Sequence, residues 1–236
     1  MAAVSMLATA CTSLRVVTHT VSPVEAHVPP GRYALDPAHW SINFDVDHLH
    51  YSRFVMRFNR AEAHLQWHAP GLDQSSVVAV IDPASLDTNV ALLDRMVKGR
   101  DLLDVTHYPQ IRFVSTGFTR TGNATGVLSG ELTLHGQTRP VTLEVVFNGF
   151  AREPLTQRDK LGFAAQGRFS RAAFGLSAWY PAVGDEVQVR IQAEFARVVE
   201  VGATNANTDT DADAGAEADL PGTASATVPS SAANLR

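Results

Sequence analysis

The chain has 236 residues, 45% of them hydrophobic, with a formal net charge of −5 and a mean hydropathy of −0.04. These values are ordinary for a soluble globular protein and argue against a nucleic-acid partner, which normally requires a basic surface. The single cysteine, Cys11, excludes an intrachain disulfide framework and a cysteine-ligated zinc site. No run of about 18 apolar residues occurs, so we predict no transmembrane segment.

Both ends of the chain lack the periodicity of folded elements. Residues 1–31 are predicted to be a leader and linker, because a short apolar start is followed by an aperiodic stretch that ends in Pro29-Pro30-Gly31. The residues before Cys11 resemble a bacterial lipoprotein cleavage box, so we expect periplasmic export with a lipid anchor at Cys11, or alternatively a frayed leader. Residues 200–236 are rich in Ala, Thr, Ser and Asp and are predicted to be a disordered acidic tail. The folded domain is therefore expected over 32–199.

The first predicted strand lies within Tyr33–His48 and follows the turn-forming pair Asp36-Pro37. Apolar residues take every second position and polar residues lie between them, which predicts a strand with one buried and one solvated face. His39 falls on the polar face. The buried face carries Trp40, Ile42, Phe44, Val46 and His48.

The rest of the domain contains many short alternating stretches and one helical stretch. In chain order the predicted strands lie within 53–67, 77–81, 111–115, 127–134, 140–147, 162–170 and 187–195. Between the second and third of these, Leu92, Leu93, Met96 and Val97 recur at helical spacing, with Asp87 or Thr88 as the expected N-cap and Gly99 as the end. We predict an all-β protein with antiparallel strands, either a sandwich or a closed barrel, with one helical excursion.

Six short motifs occur in the order in which the YceI-like, polyisoprenoid-binding family carries them. The chain resembles this family over about 165 residues, essentially the whole predicted domain. The motifs are Tyr33-x-x-Asp36-Pro37-x-His39, Ile81-Asp82-x-Ala84-Ser85-x-x-Thr88, Asp101-x-x-Asp104-Val105-x-x-Tyr108-Pro109, Gly130-x-Leu132-Thr133-x-x-Gly136, Ser170-Arg171-x-x-Phe174-Gly175, and Gly184-Asp185-Glu186-Val187.

The resemblance implies an extended lipocalin-like antiparallel β-barrel of about eight strands, with an apolar tunnel. It implies an isoprenoid lipid as ligand, either a polyprenyl diphosphate or the tail of an isoprenoid quinone, and no other cofactor. We expect the inward-facing side chains to contact the lipid, and we expect Arg171 to face a diphosphate because a guanidinium matches phosphate oxygens. The candidate binding residues are Trp40, Ile42, Phe44, Val46, His48, Phe58, Phe113, Phe147, Arg171 and Phe174.

Three positions carry larger side chains than the family usually has, which predicts a narrower or shorter cavity. They are Trp40, Met56 and Ala63. A fourth departure, Leu93, replaces a usual arginine and removes a cation from the helix.

No catalytic motif is present, so we predict a non-enzymatic carrier of an apolar ligand. Two alternatives remain open. One is a metal-dependent enzyme that uses His39, His48 and His50, and the other is a closed structural barrel with a filled core. The sequence leaves the oligomeric state open between a monomer and a homodimer.

Overall fold

The computed structural model describes residues 16–199, which form an antiparallel sheet of ten strands with one α-helix. The predicted lipid-anchor residue Cys11 and the predicted acidic tail over 200–236 lie outside these residues, so both stay predictions. The elements are β1 Gly31–His48, β2 Ser52–Phe58, β3 Ala61–Trp67, β4 Ser76–Ile81, β5 Leu86–Asp87, α1 Ala91–Lys98, β6 Ile111–Arg120, β7 Thr125–Leu134, β8 Gln137–Arg152, β9 Asp159–Ser170 and β10 Glu186–Arg197.

The sheet closes on itself into a barrel, which confirms the predicted fold class. The long first strand makes the closure, because one edge of β1 pairs with β10 while its other edge pairs with β3 near its start and with β2 near its end. Eight strands form the closed barrel, and the short strands β2 and β5 extend it at one end. Full closure leaves few unpaired backbone groups at sheet edges.

β2 and β3 are two halves of one bent strand, since both lie along the same edge of β1. The bend falls at Asn59 and Arg60, whose backbone N–H groups donate to the Ser85 hydroxyl at 3.2 and 2.9 Å. That hydroxyl donates in turn to the Asp82 carbonyl oxygen at 2.6 Å. The buried serine therefore satisfies the polar backbone groups that the bend frees from the ladder.

The helix begins differently from the prediction. Its N-cap is Val90, which makes no side-chain cap, although Gly99 does end it as expected. Asp94 in the first turn instead accepts hydrogen bonds from the Thr88 N–H and hydroxyl, both at 2.7 Å. These bonds lower the pKa of Asp94 and tie the helix to the strand before it. Within the described part of the chain, no helix has the length and hydrophobicity needed to cross a membrane.

One end of the barrel, where β1 begins, is filled by large side chains. Trp67 and Tyr33 are fully buried there, and the Trp67 ring lies 5.7 Å from the ring of Phe147. Phe147 in turn contacts Phe163 at 5.3 Å between ring centroids, and Leu161 completes the cluster. We call this cluster the floor of the barrel.

The segment before β1 packs against the floor end, although its composition suggested a linker. Ser22 pairs with Phe150 of β8, and Glu25 lies in a short 3-10 turn with only 9% of its surface exposed. The Glu25 carboxylate accepts hydrogen bonds from the Leu72 N–H at 2.9 Å and from two Arg120 nitrogens at 2.7 and 2.9 Å. Burial raises the pKa of Glu25, but these hydrogen bonds outweigh it and the pKa lies below its usual value.

We expect Arg120→Met to lower the free energy of unfolding by about 2 kcal/mol at neutral pH. The substitution leaves the buried Glu25 carboxylate without its cation, and the usual cost for a fully buried pair is reduced because Arg120 is partly exposed. The stability from a carboxyl with a depressed pKa is present above its unfolded pKa of about 4.3 and is lost as the pH falls through the folded pKa. The deficit of the variant should therefore shrink in acid.

Urea denaturation across the acid range measures this deficit. Arg112→Met on the same strand is the matched control, because Arg112 is exposed and has no ion pair among the described residues, so it should change stability by less than about 0.5 kcal/mol. A deficit that is the same at every pH would contradict the role given to Glu25.

Candidate functional site

Above the floor the barrel is hollow. The cavity has a volume of about 500 Å³, and its walls are almost entirely aliphatic and aromatic side chains from all eight closing strands and from β2. The wall therefore suits an apolar ligand and offers few hydrogen bonds. The hollow interior also contradicts the alternative of a closed barrel with a filled core.

The alternation in β1 predicted the part of the cavity wall that this strand forms. Eight of the ten candidate binding residues line it. Phe44 and Phe58 stack across β1 and β2 with ring centroids 5.0 Å apart, so they act as one wall. The eight residues are Trp40, Ile42, Phe44, Val46, His48, Phe58, Phe113 and Arg171.

The other two candidates lie outside the cavity wall. Phe147 belongs to the floor, where Trp67 and Phe163 cover its ring. Phe174 lies in a 3-10 turn after β9 and is buried with its ring edge-on to Phe169, 5.5 Å away. Both are packed core residues, and the prediction that they contact a ligand finds no support in their positions.

The positions with enlarged side chains do face the cavity. Trp40, Met56 and Ala63 all line it, as does Leu93 of α1. The larger side chains at these positions therefore project into the cavity. Their effect on ligand length stays a prediction.

Arg171 faces the cavity, but its guanidinium donates its hydrogen bonds to the loop of residues 171–185. Its donors reach the carbonyl oxygens of Gly184 at 2.8 Å, Val183 at 2.7 Å and Ala178 at 2.9 Å, and a fourth bond goes to Leu176. Burial lowers the pKa of Arg171, and only 5% of its surface is exposed. The side chain is thus a structural brace, which contradicts its predicted role as a diphosphate ligand.

The open end of the cavity lies opposite the floor, and we call it the mouth. His48 lies there, exposed, with its ring 6.1 Å from the ring of Phe54, and its imidazole forms no hydrogen bond with the described residues. Trp179 and Val183 of the 171–185 loop line the same opening. Because the imidazole and the indole N–H have no protein partner in the described chain, they are free to bind a polar group at the mouth.

The mouth residues from the loop were missed by the sequence reasoning. Trp179 lies in irregular backbone with φ of +67°, so no alternation marks it as facing the cavity. Val97 of α1 also lines the cavity, and its helical spacing with Leu93 was the signal available for it.

The three histidines of the metal alternative do not meet. His39 and His48 are nine residues apart on the extended strand β1, which separates them by roughly 30 Å. His50 lies in the exposed turn after the strand and pairs with Asp47 at 2.9 Å. The predicted three-histidine site is therefore wrong.

His39 instead belongs to an ion-pair cluster on the outside of the barrel. The ligand atoms of Asp36, His39 and Glu194 lie within 4.8 Å of one another. The Lys160 ammonium already lies among them, 2.6 Å from Asp36 and 3.1 Å from Glu194. Burial raises the pKa of Asp36, but hydrogen bonds from Lys160, the Ala38 N–H and His39 outweigh it and bring the pKa to about 2. The cluster is satisfied by its own lysine and gives no support for a metal.

Comparison with known proteins agrees with this geometry. The model of the YceI-like domain matches residues 33–195. A UPF0312 protein from Vibrio cholerae is 36% identical over 146 residues, which cover 61% of this chain and 77% of that protein. A UPF0312 protein from Pseudomonas putida is 33% identical over 138 residues, which cover 58% of this chain and 71% of that protein.

Solved structures share the fold at lower identity. BcnA from Burkholderia cenocepacia superposes with a TM-score of 0.62 at 24% identity and covers 68% of this chain and 98% of its own. A polyisoprenoid binding domain from Saccharophagus degradans superposes with a TM-score of 0.52 at 15% identity and covers 70% of this chain and 98% of its own. The domain match extends from Tyr33, the first residue of the first motif, to Phe195 in β10. Because it covers more than half of the chain, this chain belongs to the YceI-like family.

Proposed function

We propose that the protein binds one amphipathic lipid and carries it without catalysis, with the apolar chain inside the barrel and the polar head at the mouth. The observation that carries the proposal is the cavity of about 500 Å³ with an apolar wall. This volume falls within the range of about 300–1,000 Å³ that small-molecule sites occupy. Because large side chains fill the floor, we expect the lipid to enter at the mouth.

The driving force would be desolvation. Each buried methylene contributes about 0.8 kcal/mol, so about ten of them give roughly 8 kcal/mol before the cost of ordering the chain is subtracted. Three charged residues contribute to the wall: Glu62 and Arg168 are exposed, and the buried Arg171 guanidinium donates to backbone carbonyl oxygens. Burial of the lipid chain therefore leaves none of these charges without water or a hydrogen-bond partner. His48 and Trp179 then offer hydrogen bonds to a carbonyl or hydroxyl of the head group at the mouth.

We propose an isoprenoid chain, as in an isoprenoid quinone or a polyprenyl diphosphate. Support comes from the structural neighbour described as a polyisoprenoid binding domain and from the wall itself, which mixes branched aliphatic residues with phenylalanine rings. Arg168 on the cavity wall is exposed and forms no ion pair with described residues, so a diphosphate as well as an uncharged quinone head would find a polar contact there. Organic extraction distinguishes the two head groups.

Native mass spectrometry of the full-length protein purified from a bacterial host, followed by organic extraction, tests the proposal. We expect a mass excess that corresponds to one lipid per chain, and an extract that contains an isoprenoid. Protein of bare polypeptide mass, even after incubation with an isoprenoid quinone, would overturn the proposal.

A further inference from the structure

Apolar side chains are exposed around the mouth on three neighbouring segments. The β1–β2 turn and the 171–185 loop touch, because the Leu49 N–H donates to the Ala182 carbonyl oxygen at 2.7 Å and His48 pairs with Val183. The helix α1 joins them at the cavity through Leu93 and Val97. We call the exposed apolar set the rim: Leu49, Tyr51, Leu92, Met96, Trp179 and Tyr180.

The exposure of the rim is pronounced. Tyr51 is 88% exposed and Tyr180 is 65% exposed. Leu49 and Trp179 also hold φ of +53° and +67°, a left-handed conformation that is costly for residues with a Cβ atom. Such side chains bring the free protein little stability, and an exposed apolar patch of this kind usually marks an interaction surface.

Two arginines beside the rim are free to contact lipid phosphate groups. On α1 and just after it, Arg95 and Arg100 are exposed and form no ion pair with described residues. Asp94 and Asp104 accept hydrogen bonds from Thr88 and His107 but keep their charges, so residues 91–104 carry three acids against three cations. Attraction to a partner therefore rests on the apolar set and on local contacts of Arg95 and Arg100, and not on net charge.

The composition of the rim matches the surface of a lipid bilayer. Trp and Tyr prefer the interface between headgroups and acyl chains because each has an apolar body and a polar tip. In α1, Leu92 and Met96 are exposed next to Arg95, which is the arrangement of a helix that lies in a membrane surface and contacts phosphate groups.

We propose that the rim docks on a phospholipid bilayer, so that an apolar chain passes between membrane and cavity without crossing water. The purpose of docking rests on the proposed lipid-carrying function, but docking itself does not, because the rim is exposed whether or not the cavity is filled. The rim and the cavity can therefore be tested separately.

The experiment is sedimentation of the delipidated full-length protein with vesicles of phosphatidylcholine, with and without phosphatidylglycerol. Leu49→Asn and Tyr51→Asn remove rim side chains that do not line the cavity, and asparagine at position 49 tolerates the left-handed backbone there. Leu155→Asn is the matched control, because Leu155 is 66% exposed in the β8–β9 connection at the floor end. Arg95→Gln tests the charge.

We expect the wild type to bind vesicles, each rim variant to bind about tenfold or more weakly, and Leu155→Asn to bind like the wild type. Arg95→Gln should weaken binding only where phosphatidylglycerol is present. A variant with the cavity blocked, Ala165→Phe, should still bind vesicles, which separates failure of docking from failure of lipid carriage. Equal vesicle binding by the rim variants and the wild type would overturn the proposal. So would a wild type that fails to bind vesicles and instead forms a dimer in solution that Leu49→Asn dissociates.

Discussion

Arg171→Lys is expected to lower the free energy of unfolding by about 3–4 kcal/mol, the largest effect on stability among the variants considered. The planar guanidinium serves four carbonyl oxygens from one buried position, whereas an ammonium has three donors on a flexible stem and cannot reproduce that fork. The carbonyl oxygens left without donors in a buried setting cost about 1–3 kcal/mol each before the loop relaxes.

The loss should be concentrated in the 171–185 loop. Its contacts with the end of β1 include the bond from the Gly184 N–H to the Asp47 carbonyl oxygen at 2.9 Å, and we expect this bond to weaken when Arg171 no longer holds the loop. We therefore expect faster hydrogen exchange at the Leu176 and Gly184 amides in the variant, together with the lower denaturation midpoint.

Arg168→Lys is the matched control for this prediction. Arg168 lies three residues earlier on β9 and is exposed, so the same exchange of side chains should change stability by less than about 0.5 kcal/mol. If Arg171→Lys were as stable as Arg168→Lys, the guanidinium would not be the brace of the loop and its place at the cavity would need another explanation.

Alternation predicted the antiparallel strands and part of the cavity wall because it reports which face of a strand is buried, and the family resemblance predicted the barrel. The alternation of Trp40, Ile42 and Phe44 led directly to the wall residues that the structure shows. Alternation carries no information on depth along the barrel axis, however. Phe147 has the same inward parity, yet it lies at the floor because Trp67 and Phe163 close over it.

Asp45 shows a second limit of such reasoning. Its parity predicted a solvated side chain, but it is almost fully buried on the outer face of β1 beneath Arg53 and Arg190. Arg190 comes from β10, 145 residues further along the chain, and reaches the Asp45 carboxylate at 2.6 Å. Only the strand pairing brings these groups together, and pairing between distant strands is not encoded in local periodicity.

The irregular segments were the least predictable. Arg120 pairs with the Glu25 carboxylate, and Arg171 donates to carbonyl oxygens of its own loop. Both side chains satisfy polar groups in segments that have no repeating sequence pattern. The mouth and the floor of the cavity are both built this way. The residues at the two ends of the cavity could therefore be identified only from the structure, whereas residues along its wall could be predicted from the sequence.

Ala165→Phe is expected to weaken the binding of an isoprenoid quinone about 100-fold, the largest effect on binding among the variants. Ala165 lies in β9 between Val145 and Ile191 and faces the cavity. A phenyl ring there would displace three or four methylenes of the ligand, each worth about 0.8 kcal/mol, and a loss of roughly 3 kcal/mol corresponds to a 100-fold weaker affinity. Because the ring enters an existing cavity, the fold should survive.

Quenching of tryptophan fluorescence by the quinone measures the affinity, since Trp40 and Trp179 both line the cavity. Ala164→Phe is the control with the same change one residue away. Ala164 pairs with Val146 and Gln192 and points to the outer face by the alternation of the strand, so its ring should leave binding unchanged. If both variants bound the quinone as the wild type does, the lipid would lie outside the barrel; if Ala165→Phe alone lost it, the hollow interior would be the binding site.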